Sequence, residues 1–223
     1  MLFEKVYIEG LDYHLPEDIV TSAEIEKRLA PLYERLKLPQ GRLELMSGIK
    51  ERRFWDKGIV PSEVATIAGE KAIARAGINK DNIGCLISAS VCRDFIEPST
   101  ASIIHRNLKI PSEAFVFDVS NACLGVLNGM MIIANMIDQN QILAGLVVAG
   151  ENGGPLLNNT IQTLLSKPDI TRSTIKSSFA SLTIGSAAVG VVLSHKKISR
   201  QGHRLMGGVS LAETQFNHLC RGN

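Results

Sequence analysis

Hydrophobic and polar positions along this chain fall into short runs whose period changes repeatedly. Leu2 to Glu9 alternates apolar and polar residues, the mark of a half-buried strand. Thr21-Ser22-Ala23-Glu24 has the spacing of a capping box and predicts a helix reaching about Arg35. A second helix opens at Pro61-Ser62-Glu63. Its Ala65, Ala68, Ala72 and Ala76 share a face and Gly77 closes it, so it can lie close on a sheet. Ile83 to Ser88 reads as a short apolar strand, Pro98 to Leu108 as a helix and Phe115 to Val119 as a strand. Ala122 to Ile137 is too long and too apolar for anything but a buried helix, and Leu143 to Ala149 is again an unbroken apolar strand. Ala187 to Ser194 and Leu205 to Ala212 predict two closing strands. Strands apolar on both sides and alternating with helices predict an α/β fold, a mixed, mostly parallel sheet covered by helices.

Two segments stand out from this alternation. Residues 151–177, beginning Glu151-Asn152-Gly153-Gly154-Pro155, look like an insertion with a short amphipathic piece around Ile161, Leu164 and Leu165. The predicted buried helix carries Asn121, Asn128 and Asn135 in one stripe, expected to satisfy backbone or partner groups. Gly125 and Gly129 on the same helix permit close approach by another element, which suggests a helix in the middle of an assembly.

Composition narrows the function classes. Lys and Arg total 24 against 22 Asp and Glu, a formal +2, so nothing calls for nucleic acid. The one basic knot, Lys50-Glu51-Arg52-Arg53, reads first as a solvated loop. Cys85, Cys92, Cys123 and Cys220 include no CxxC pair and no histidine at ligand spacing, so no metal site is predicted and a reducing compartment fits better than a disulfide scaffold. The N-terminus reads as a strand rather than a signal peptide. The longest apolar run, Leu124 to Ile137, is broken by Asn128 and Asn135 and is too short for a membrane span. These features predict a cytoplasmic protein.

The candidate chemistry centres on "DVSNACLG", residues 118–125. Cys123 stands between a strand, a tight polar connection and a helix start, where unpaired N–H groups favour a thiolate. A packed cysteine is the competing reading, and local sequence leaves both open. Cys85, inside an apolar strand, is expected in the core; Cys92 lies in a loop and Cys220 near the end of the chain. Glu97, directly before Pro98, sits at a loop-to-helix junction, where it can simply complement the helix dipole. His105 is expected to be structural.

Taken together, "GIKERR" (48–53), "EPSTA" (97–101), "DVSNACLG" (118–125) and "LTIGSAAVGVVL" (182–193) resemble the thiolase superfamily, in its beta-ketoacyl synthase III-like branch. "SVCRDFIEPSTASI", "SNACLGVLNGM" and "NHLCRGN" are most similar to the acyl-CoA-condensing synthases of olefin biosynthesis within that branch. The resemblance implies that Cys123 carries the first acyl chain as a thioester. It implies that Glu97, offered to the neighbouring subunit of a homodimer, deprotonates a second acyl-CoA for a non-decarboxylative, long-chain Claisen condensation. Acyl-CoA, or an acyl-carrier protein thioester, is then a substrate, and no cofactor is implied. Arg52 or Arg53 is a candidate contact for CoA phosphates, while Met46 stands where some synthases of this branch place a CoA-contacting arginine. The 151–177 insertion suits a cap over a long acyl channel.

The resemblance implies two pseudo-symmetric halves, with residues 1–223 matching the N-terminal half and no residue here matching the histidine–asparagine pair of the C-terminal half, so that the chain is a fragment, is completed by a second polypeptide, or has a defunct site. The apolar helix after Cys123 would pack on that second half, or a complementing chain would supply it. Two other readings remain open: a decarboxylative 3-oxoacyl-ACP synthase III or HMG-CoA-synthase-like enzyme, and a non-catalytic half-subunit.

Overall fold

A computed structural model of the chain describes residues 1–219, so Cys220 and the end of the "NHLCRGN" segment lie outside the described residues. β1 (Val6–His14) leads to β2 (Asp18–Thr21), the short helices α1 (Ser22–Arg28), α2 (Ala30–Arg35) and α3 (Arg42–Ser47), and β3 (Glu51–Phe54). Next come α4 (Pro61–Ala76), β4 (Ile83–Ser88), α5 (Thr100–Leu108), β5 (Phe115–Asp118) and α6 (Gly125–Asp138). The chain continues with β6 (Ala144–Glu151), α7 (Gly154–Ser166), α8 (Phe179–Thr183), β7 (Ala187–His195) and β8 (His203–Arg204).

Six strands form one sheet in the order β5-β4-β6-β7-β1-β8, and β2 pairs with β3 alone. β4 runs parallel to both of its neighbours, β5 and β6, while β6, β7, β1 and β8 are antiparallel in turn. Parallel neighbours need crossovers, and here the crossovers are helical: α5 joins β4 to β5, and α6 returns from β5 to β6. The two helices cover opposite faces. On one face Ala65, Ala72 and Ala76 of α4 and Ile104 and Leu108 of α5 pack against Leu86, Leu146 and Val148. On the other, Ile133, Ala134 and Ile137 of α6 pack against Cys85, Ile87 and Val147. Successive strand residues thus bury on alternate faces, which is why β4 and β6 read as unbroken apolar runs.

The alanine face of α4 lets it sit almost on the sheet. A Cβ on Gly190 of β7 would lie 2.7 Å from the carbonyl oxygen of Ala68 and 3.0 Å from Ala72 Cβ, so glycine is what the approach demands.

Within residues 151–177 the main element is α7. Its Leu157, Ile161 and Leu164 join Ile25, Leu29, Leu32, Leu43 and Leu182 in a separate helical cap.

Four expectations need correction. The capping box forms, with Glu24 N donating to Thr21 Oγ1 (3.1 Å) and Thr21 N to Glu24 Oε2 (2.7 Å). The helix behind it nevertheless breaks at Leu29 and restarts as α2. Pro31 is the reason: it brings no N–H and its ring crowds the carbonyl of the preceding turn. The first strand is shifted toward Val6–His14, because the N–H groups of Glu4 and Lys5 both go to Asp138 Oδ1 (2.9 Å each) instead of a neighbouring strand.

Leu205–Ala212 is not a strand. Only His203–Arg204 pairs with β1, one bridge joins Gly207 to Leu2, and Val209 is 95% exposed. Past Arg204 the chain runs along the outer edge of the sheet, where β8 is the last strand. The helix after Cys123 begins at Gly125 and buries only its sheet-facing stripe, leaving Leu124 and Leu127 more than half exposed. Gly125 and Gly129 meet the sheet side: Cβ atoms there would lie 2.8 Å from Ala89 O and 2.9 Å from Val147 Cγ1. Among the described residues no helix is long and apolar enough to cross a membrane.

Gly190→Ala is expected to force α4 off the sheet and cost about 1–3 kcal/mol, the usual scale of overpacking. Urea unfolding measures it; an unchanged midpoint would mean that α4 is not seated this closely.

Candidate active site

The parallel strands β4, β5 and β6 end side by side, Ser88 pairing with Asp118 and with Val148. Crevices outside the carboxyl ends of such strands are where α/β proteins place their sites. The chain leaving β5 first returns to the sheet through Val119 N, which donates to Ser88 O (2.8 Å). It then makes one tight 3-10 turn, Ala122–Leu124, closed by Leu124 N donating to Asn121 O (2.6 Å). Ala122 takes φ +43°, a left-handed conformation that side chains resist, and such strain clusters at functional sites. Asn121 Nδ2 donates to Asn128 Oδ1 on α6, and Asn135 Nδ2 to Met131 O (2.8 Å), so the stripe satisfies local groups. Gly125, pressed against Ala89 O, lets the helix start lie over the end of β4. The result is an exposed Cys123 thiol on a constrained turn just before α6.

Cys123 lines an open cleft of about 910 Å³. Its walls are mostly apolar, with Leu15, Val126, Leu156, Ile184 and Val189 among them. Arg52 and Arg53 line the same cleft but are engaged by the scaffold. Arg52, 6% exposed, donates from Nη2 to Ser22 Oγ (2.9 Å) and from Nη1 to Val20 O (3.3 Å), while its Nε has no partner among the described residues. Burial pushes the pKa of this guanidinium down. Arg53, less buried, donates to the carbonyls of Pro16 (2.9 Å) and Glu17 (3.4 Å).

Two other cysteines differ sharply from Cys123. Cys85 is fully buried, and burial pushes its thiol up to about 12. Cys92 also lines the cleft, yet burial and a hydrogen bond with Glu151 push its thiol up to about 11. At neutral pH such a thiol stays protonated. His105 is tied to Pro111 O at 3.0 Å, a structural contact.

Glu97 does not line the cleft of its own chain. It sits on the exposed stretch Phe95–Pro98, ahead of α5, whose N-terminus is capped by Ser99. The chain therefore gathers Cys123, Arg52 and Arg53 at one cleft and holds Glu97 outside it. Sequence reasoning missed Glu151, the last residue of β6, whose carboxylate lies in the cleft wall and accepts from Val91 N (2.7 Å) and Cys92 N (3.2 Å). The available signal was a buried apolar strand ending in an acidic residue at the same end of the sheet as Cys123.

No family model matches the chain. It is 40% identical over 223 residues to the acyl-CoA:acyl-CoA alkyltransferase of Xanthomonas campestris pv. campestris, covering 100% of this chain and 66% of that protein. A crystal structure of a cysteine-to-serine variant of Xanthomonas campestris OleA, with bound lauric acid and lauroyl-CoA, superposes with a TM-score of 0.94 at 39% identity, covering 100% of this chain and 66% of that one. The beta-ketoacyl-[acyl-carrier-protein] synthase III of Koribacter versatilis is 29% identical over 153 residues, 69% of this chain and 44% of that protein. The chain spans about two thirds of the length of the alkyltransferases it matches. With full-length identity at this level and the same mixed sheet beneath it, the chain belongs to the thiolase superfamily, in the beta-ketoacyl synthase III-like branch beside the OleA proteins.

Proposed function

We propose that the protein is an acyl-CoA condensing enzyme that joins two long acyl chains without decarboxylation, through a thioester on Cys123. The observation that carries this reading is an exposed thiol on a strained turn, opening into a largely apolar cleft of about 910 Å³. The lauroyl-CoA bound to a solved relative supports a long acyl-CoA as substrate.

In the first step the Cys123 thiolate attacks the thioester carbonyl, the carbon–sulfur bond to CoA breaks, and the CoA thiol leaves with the proton Cys123 gave up. In the second, a carboxylate removes an alpha proton from another acyl-CoA. The resulting carbanion attacks the acyl carbonyl on Cys123, a carbon–carbon bond forms, and the Cys123 thiolate departs from a beta-ketoacyl-CoA. Neither step needs a cofactor. The base is Glu97 of a second copy in a homodimer, a role supported by its place on an exposed arm outside its own cleft. Arg53, the more accessible of the two arginines, meets a CoA phosphate, and Arg52 keeps that wall of the cleft positive. A reducing cytoplasmic compartment suits a working thiol of this kind.

Iodoacetamide at pH 7.5 is expected to label Cys123 in the native protein and to spare Cys85 and Cys92, as peptide mass spectrometry would register. Preferential labelling of Cys92 would remove the basis for choosing between the two cleft thiols.

Incubation with lauroyl-CoA is expected to leave a lauroyl adduct on Cys123, and Cys123→Ser to form no thioester while keeping its circular-dichroism spectrum. An adduct on Cys85 or Cys92 with Cys123 free would overturn the proposed mechanism.

In a completed enzyme, this chain together with a C-terminal half, Glu97→Gln is expected to acylate normally and lose condensation by roughly a hundredfold, the scale of a lost general base. Mixing Glu97→Gln with Cys123→Ala subunits is expected to restore part of the activity, since one site of the mixed dimer is intact. No rescue despite proven subunit exchange would refute action across the dimer. Full Glu97→Gln activity with malonyl donors would identify a decarboxylative synthase III instead.

A further inference from the structure

The arm that carries Glu97 has almost no packing of its own. Phe95 is 59% exposed, Ile96 86%, and Glu97 and Pro98 are exposed as well. Among the described residues no hydrogen bond reaches the Glu97 side chain. An unpacked loop of this kind ordinarily samples many conformations. This one is held at defined points on either side of its tip.

The root of the arm continues the β4–β6 pairing after the backbone ladder has ended. Gly150 N donates to Ser90 Oγ (2.8 Å), and Asn152 N donates to Cys92 Sγ (3.4 Å). Between them the Glu151 carboxylate takes one N–H on each oxygen, Val91 N on Oε1 and Cys92 N on Oε2. Both oxygens are thereby engaged with backbone, which suits a bracket better than a base.

The second point is Asp94. Helix α4 starts with Pro61, and Val60 at its N-cap has no side chain able to cap it. Asp94 supplies the cap from across space. Its Oδ1 accepts from Ser62 N (2.9 Å) and its Oδ2 from Ser62 Oγ. A carboxylate placed there also meets the positive end of the helix dipole, so the middle of the arm is fixed to the end of a 16-residue helix packed on the sheet. Beyond the tip, Asp118 accepts from Thr100 N (3.0 Å) and Ala101 N (2.8 Å), and so ties the far end to β5.

We propose that Asp94 and Glu151 are positioning residues, two carboxylates that clamp the arm so that Glu97 projects from a rigid mount. The proposal rests on the reading of Glu97 as the base for a neighbouring site. A small misplacement of a reacting group costs orders of magnitude in rate, so the mount matters to condensation and not to acylation of Cys123.

The clamp itself is read by amide hydrogen exchange. Glu151→Gln and Asp94→Asn are each expected to speed exchange across residues 91–97 at least tenfold, with α6 unchanged. Exchange as slow as in the parent protein would overturn the clamp.

Its consequence is read in the completed enzyme, this chain together with a C-terminal half, with Asp94→Asn, and with Ser62→Ala, which removes one partner of Asp94 without touching the arm. Thioester formation from lauroyl-CoA is expected to stay within about threefold, while kcat for condensation falls at least tenfold and KM changes little. A parallel fall in acylation and condensation would mean that Asp94 only stabilises the fold, and the positioning role would be refuted. Accelerated exchange with undiminished condensation would refute it equally. Full condensation by Glu97→Gln would instead sink the underlying base reading, whatever the exchange rates are.

Discussion

Ser88, Asp118 and Val148 stand in register at the carboxyl ends of three parallel strands, and the placement of every candidate reacting group depends on that alignment. The arm bearing Glu97 leaves from β4, the turn bearing Cys123 from β5, and Glu151 ends β6. Because α5 and α6 return over opposite faces, the chain parts around β4 and a crevice opens there. A slip of one residue in either pairing would turn alternate side chains to the wrong face. Asp118 would lose the N-terminus of α5, and Glu151 would lose Val91 and Cys92.

The parts legible in the sequence are those that a local period encodes. Ala65, Ala68, Ala72 and Ala76 announced a helix seated on a sheet, and β4 was readable to the residue because both of its faces are buried. The place of Cys123, on a turn between β5 and α6, was readable from a polar stretch between an apolar strand and an apolar helix, while local sequence left its role open. What escaped depends on partners far along the chain. The bonds from Glu151 to Val91 and Cys92 span 60 and 59 residues, and nothing periodic marks them. The Leu205–Ala212 segment alternates well enough for a strand, but strand formation also needs a covered edge, and β8 lies at the outermost one. The break at Leu29 was present in the sequence as Pro31, overshadowed by a strong capping box.

Two thiols in one cleft show how little composition says about reactivity. Cys92 and Cys123 differ in burial and in the groups around them. Cys92 lies beside the Glu151 carboxylate and accepts a bond from Asn152 N, and both burial and negative charge disfavour its thiolate. Cys123 stands exposed before α6 on a turn that Asn121, Asn128 and Gly125 hold in place. Arg52 shows the converse case, a cation kept in the cleft wall by a carbonyl and a hydroxyl. Desolvation weighs against such a charge, so it persists only where the surrounding fold fixes it.

The separation of Glu97 from Cys123 within one chain has a physical rationale on the condensing reading. A free carboxylate lodged beside Cys123 in an apolar cleft would be poorly solvated and would repel the thiolate needed for the first step. Glu151 avoids that difficulty by giving both oxygens to backbone N–H groups. Among the described residues Glu97 has no such partners, and on the condensing reading its exposed arm would keep the charge in water until a second copy brought it to a cleft. Thiolate and base are then carried by different chains. The acylated cysteine has already lost its charge when the base is required, so the two groups need never be ionised together in the same acyl-filled site.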